Sequence, residues 1–147
     1  MSLIEPGPAH RPTLLEELVA TSHRRLAELV VELAHRSPTI GVDEDLRRQL
    51  AHDLRAHLQV VLVIIGAQLD DGERGRQRRD HAELVRALDD LLSGPTDTRV
   101  VSSLAEQLAR HAELEEHQLV LLRRRVGTRR MSELGYRYAD RVDAHLD

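Results

Sequence analysis

Four histidines occupy apolar-stripe positions, each in a different stretch of helical periodicity: His23, His57, His81 and His111. A polar, titratable ring at such a position costs free energy unless something satisfies it. Neutral imidazole is also the commonest protein ligand for transition metals, so a shared central metal site is the chemistry this pattern suggests. Spacing ties each ring to its stripe. His57 lies three residues after Leu54 and four before Val61, and His23 lies three before Leu26. His81 precedes Leu84 and Val85 by three and four. His111 follows Leu108 by three and precedes Glu115 by four, so His111 and Glu115 project from adjacent turns of one face. The remaining histidines, His10, His35, His52, His117 and His145, fall mainly off the stripes and are expected in solvent.

The elements that must position these rings follow from periodicity and stop signals. A disordered lead-in over 1–11, with Pro6-Gly7-Pro8, gives way to a helix from Pro12-Thr13 to about Arg36, which Ser37-Pro38 ends. Asp43 caps a second helix whose stripe runs from Leu46 through His57, Val61 and Ile64 to about Leu69. The stretch 70–75, with two glycines, reads as a turn. A third helix covers about 76–92, carrying His81, Leu84, Val85, Leu88 and Leu91, and Ser93-Gly94-Pro95 stops it. A fourth opens near Thr98 and carries Val101, Leu104, Leu108, His111, Glu115, Leu119 and Leu122. Beyond Gly127 a short helix over about 131–146 carries Leu134, Tyr138, Arg141 and Val142. The expectation is an all-α, up-down-up-down four-helix bundle over 12–126, with a C-terminal helix over 127–147 packed on it.

Composition narrows the class. Charged residues at 31% and hydrophobic residues at 41% suit a folded helical domain rather than a disordered chain. With no Phe, no Trp and two Tyr, the core must be built from Leu, Val, Ile and Ala. A net charge of -4 argues against nucleic acid as a partner. The absence of cysteine excludes disulfides, thiolate ligands and cysteine nucleophiles, and fits a cytoplasmic protein. The longest apolar run, Val60 to Ile65, is too short to span a bilayer, and no basic segment leading into an apolar one opens the chain. No serine has a histidine and an acid at suggestive spacing, so no hydrolytic activity is expected.

The segments Ser22-His23-Arg24-Arg25-Leu26, Leu54-Arg55-Ala56-His57-Leu58, Asp80-His81-Ala82-Glu83-Leu84 and His111-Ala112-Glu113-Leu114-Glu115-Glu116 resemble the four helices of the haemerythrin-like, HHE cation-binding family. The resemblance covers about 14–125, and Met131-Ser132-Glu133-Leu134-Gly135 is similar to the segment that follows the fourth helix in many members. It implies a left-handed four-helix bundle around a non-haem di-iron centre. His23, His57, His81, His111 and Glu115 would be ligands, with Glu116 an alternative to Glu115 as the bridging group. The implied roles are sensing, storage or handling of iron, oxygen or nitric oxide.

Three positions depart from the family pattern. The second helix normally carries a Glu four residues after its histidine, and here Val61 stands there. Gln77 occupies the place of a second histidine on the third helix, and Leu121 lies near the place of a proline on the fourth. Two iron ions close together repel, and bridging carboxylates offset that charge. Four imidazoles with one or two carboxylates therefore suit one divalent ion better than a pair. Iron, mononuclear or paired, is the expected cofactor; another divalent metal, or none in a degenerate site, are the alternatives.

Two further readings come from other classes. Leu50-Ala51-His52-Asp53-Leu54-Arg55 is similar to the phospho-acceptor box of sensor histidine kinases, with His52 off the core stripe. A metal-free bundle acting as a protein-interaction module is the other, drawing on the last helix and on Arg123, Arg124, Arg125, Arg129 and Arg130. Those arginines also read simply as a solvated helix end, favourable at the C-terminal dipole. The partners expected are a metal ion, a diatomic gas and a second copy of the chain, with neither nucleic acid nor membrane.

Overall fold

A computed structural model of the chain describes residues 11–36, 42–94 and 96–146. These residues form five helices, α1 (Leu14–Arg36), α2 (Val42–Ile64), α3 (Asp71–Leu92), α4 (Thr98–Val126) and α5 (Thr128–Leu146), with a 3-10 turn at Gly66–Gln68 and no strand among them. The expected lead-in up to His10 and the Ser37-Pro38 stop lie outside the described residues.

Local chemistry moves several boundaries from where periodicity puts them. Asp43 sits inside the first turn of α2 rather than capping it, and its carboxylate accepts the Thr96 hydroxyl at 2.9 Å. The stretch 70–75 is the start of α3, not a turn. Asp70 caps that helix, accepting the Glu73 N–H at 2.8 Å, while the Glu73 carboxylate accepts the Asp70 N–H at 3.0 Å. This reciprocal pair satisfies two otherwise orphaned donors. It offsets the roughly 1 kcal/mol that each of Gly72 and Gly75 costs in a helix. Arg125 of α4 adds a second hold on Glu73 at 2.9 Å. At this same C-terminal end of α4 the link to α5 is Gly127 alone, at φ +86°, a conformation that side chains with a Cβ rarely adopt.

The helices bury Leu, Val and Ile in two clusters. One joins Leu26, Val30 and Leu33 of α1, Leu50, Leu54 and Leu58 of α2, Leu84, Leu88 and Leu91 of α3, and Val101, Leu104 and Leu108 of α4. The other joins Leu15 and Val19 of α1, Val60, Val61 and Ile64 of α2, Leu119 and Leu122 of α4, and Met131, Leu134 and Tyr138 of α5. Burying one such leucine fully is worth about 1.5–3 kcal/mol. Val85, expected inside, is 38% exposed, and Arg141 is exposed. α1 packs against α2, α4 and α5, and α3 against α4. Within 43–68 one window is apolar enough to cross a membrane by length and composition, with 56% of it buried against the rest of the protein.

Candidate metal centre

Between the two apolar clusters lies a layer of buried polar side chains. His23 follows Val19 and precedes Leu26 on α1, His57 stands between Leu54 and Val61 on α2, and His111 stands between Leu108 and Leu119 on α4. Their stripe positions therefore turn all three rings into the same interior. His111 is 0% exposed, Glu115 2% and His57 4%. The three rings meet edge to face, with centroids 5.0, 5.1 and 5.4 Å apart.

Their Nε2 atoms converge on one carboxylate. His23 Nε2 and His57 Nε2 each lie 3.0 Å from Glu115 Oε1, and His111 Nε2 lies 3.2 Å from Glu115 Oε2. One donor atom from each of His23, His57, His111 and Glu115 falls within 4.8 Å of all the others. This answers which of the two adjacent glutamates is central: Glu115 is, whereas Glu116 is 44% exposed.

The outer nitrogens are held as well. His23 Nδ1 meets Glu116 Oε2 at 3.0 Å, His111 Nδ1 meets Asp80 Oδ2, and His57 Nδ1 meets the Tyr138 hydroxyl at 3.1 Å. Metal-binding histidines typically donate their second N–H to a carboxylate or another oxygen, which fixes the tautomer and aims the lone pair. Of these partners, Glu116 was visible from sequence as a ligand candidate. Asp80 and Tyr138 were not, although Asp80 adjoins His81 and Tyr138 lies on the inner stripe of α5.

His81 stands at the edge of this group rather than inside it. It groups with Asp80 and His111, and its Nε2 is buried, has no hydrogen-bond partner and lies 3.9 Å from Glu115 Oε2. Val61 is fully buried among apolar neighbours, and Gln77 is 1% exposed with both amide atoms unpartnered. The stripe histidines expected together are thus three at the centre and one beside it. His35, His52 and His117 are exposed, and the side chain of His145 lies outside the described residues.

Charge inside the layer is uneven. Burial disfavours a charge on His111, but Glu115 and Asp80 outweigh it and raise its pKa to about 10. Burial also resists ionisation of Glu115, yet the surrounding imidazoles hold its carboxyl well below the usual value. For His57 burial prevails over Glu115 and pushes the ring towards the neutral form. Burial raises the Tyr138 hydroxyl to about 12, with the Ser22 hydrogen bond opposing, so the phenol stays protonated at neutral pH.

These donors fit a single cation. Three imidazole nitrogens and a carboxylate oxygen face one point, and the unpartnered His81 Nε2 offers a further donor at its edge. They do not provide for a pair bridged by two carboxylates, because among the described residues Glu115 is the one carboxylate buried at the convergence of the three rings and Val61 supplies none. A cavity of about 80 Å³ borders Ser22, His57 and Tyr138 on the side where α5 meets α1 and α2.

Two arginines of the basic run, Arg123 and Arg125, are bound to other helices, while Arg124 and Arg129 are exposed. Arg123 pairs with Glu16 at 3.1 Å, Arg125 with Glu73 at 2.9 Å and Arg130 with Glu133 at 3.0 Å. Asp53, beside His52, pairs with Arg25 at 3.2 Å. Comparisons of this chain with protein-family models, with curated proteins and with solved structures each found no match.

Proposed function

We propose that this chain is a haemerythrin-like cation-binding protein whose core holds one divalent transition-metal ion. His23, His57, His111 and Glu115 would hold it, and His81 would join from the edge. The observation that carries this reading is the double engagement of the three central rings, with Nε2 of each facing Glu115 and Nδ1 of each on an oxygen partner. A buried polar layer of this kind costs stability unless it is satisfied or used. The distribution of apolar clusters supports an up-down-up-down four-helix bundle: the second half of α1 packs with the first half of α2, and the second half of α3 with the first half of α4.

Iron is the metal the family resemblance favours, and imidazole-carboxylate donors accept it. When bound, such an ion supplies Lewis acidity and, for iron, a redox couple. The chain's own residues aim the lone pairs, hold one anionic oxygen at the centre and keep bulk water out of the layer. The role proposed is sensing or handling of metal, oxygen or nitric oxide in the cytoplasm. The cavity beside His57, about 80 Å³, is roomy enough to admit a diatomic molecule, which is compatible with a gas as partner.

Elemental analysis of tag-free protein from iron-supplemented medium tests this reading, with about one ion per chain expected from the donor count. A folded, helical protein without metal, even after incubation with ferrous, zinc and cobalt salts, overturns it. Two ions per chain would overturn the single-ion assignment.

A further inference from the structure

Resting on that metal reading, we infer that Tyr138 is a positioning residue for the centre, the acceptor through which α5 fixes the tautomer of His57. The argument begins with what each outer partner can do. Asp80 and Glu116 end in carboxylates, which accept the Nδ1–H of His111 and His23 and so, with a cation at the centre, let both Nε2 lone pairs face it. Among the described residues no carboxylate is placed at His57 Nδ1, whose partner is the Tyr138 hydroxyl at 3.1 Å. A hydroxyl both donates and accepts, so its direction must be set by something else. Ser22 Oγ lies 2.9 Å from the same phenol oxygen and either hydroxyl can donate, so the direction is set from the His57 side.

With a cation on Nε2, the neutral His57 ring must carry its proton on Nδ1. That N–H donates to the Tyr138 oxygen, and the Tyr138 O–H donates in turn to Ser22 Oγ. The relay runs from α2 through α5 to α1 and gives each of the three side chains a partner. Its middle member is buried, with Tyr138 2% exposed. The approach of α5 is fixed as well: a Cβ on Gly135 would stand 2.8 Å from the backbone nitrogen of Leu15. The one buried tyrosine thus lies where the fifth helix can report on, and be held by, a central ligand.

Zinc titration of the full chain tests this, using the wild type, Tyr138→Phe and Ser22→Ala. Loss of the acceptor is expected to weaken zinc binding on the order of 10–100-fold in Tyr138→Phe, with a smaller loss in Ser22→Ala. In the zinc-loaded wild type the His57 Nδ1–H should give a downfield imidazole proton resonance that exchanges slowly with water; in Tyr138→Phe it should be lost or exchange fast. A packing role alone would lower the melting temperature of the metal-free variant and leave zinc affinity and that resonance unchanged, which would overturn the inference. If Tyr138→Phe does not fold, Ser22→Ala decides on the same two readouts. A wild type that takes up no zinc, ferrous iron or cobalt overturns both this role and the metal reading; a wild type that binds one of them while the variants bind it equally well overturns the role of Tyr138 alone.

Discussion

His111 is the residue on which the centre turns, because it is fully buried with Asp80 on one nitrogen and Glu115 on the other. Replacing it with alanine is expected to abolish metal binding while circular dichroism still shows a helical protein. Asp80→Asn keeps the size of the side chain but weakens the hold on Nδ1, and should lower metal affinity on the order of 10–100-fold by zinc titration. The same residue shapes the pH dependence of the metal-free protein. Its pKa rises from 6.5 to about 10 on folding, so its contribution is complete below 6.5 and is lost as pH rises through about 10. Glu115 has the opposite sign: its folded pKa is depressed below 4.5, so its contribution is present above that value and lost on acidification. His57, also depressed, likewise favours the fold above 6.5 and less so below. Melting temperature should therefore fall as pH is raised from neutrality towards 10, and His111→Ala should flatten that alkaline limb.

Two helices carry consequences beyond their own packing. α3 begins earlier than its apolar pattern suggests because Asp70 and Glu73 cap it reciprocally, and Asp70→Ala should cost about 1 kcal/mol in chemical denaturation. α5 approaches α1 so closely at Gly135 that an added methyl would meet Leu14 and the Leu15 backbone. Gly135→Ala is expected to destabilise the protein by about 1–3 kcal/mol, as overpacking does. It should also weaken metal binding, because Tyr138 lies one turn further along the same helix. Unchanged zinc affinity in a destabilised Gly135→Ala protein would show that the docking of α5 and the centre are independent.

At the scale of the whole molecule, two Leu-Val-Ile clusters hold a costly polar layer between them. Val61 marks where that layer stops, being fully buried in the apolar cluster that includes Leu119 and Ile64. Val61→Glu should raise metal stoichiometry towards two by elemental analysis while destabilising the metal-free protein. An unchanged or lower stoichiometry would mean that the neighbouring positions no longer align as ligands. The sequence by itself determined that the chain is helical and that His23, His57, His111 and Glu115 face inward, because apolar spacing along a helix reports which face is buried, and that is a local property. It also placed His81 on an inner stripe, but periodicity carries no information on how far one helix is offset along another. Only the tertiary structure decided that His81 stands at the rim of the cluster, that Glu115 rather than Glu116 is central, and that Arg123 and Arg125 fasten α4 to α1 and α3. It alone brought Asp80 to His111 and Tyr138 to His57, partners 31 and 81 residues apart, since a hydrogen bond depends on where two side chains end in space and not on the pattern of either helix.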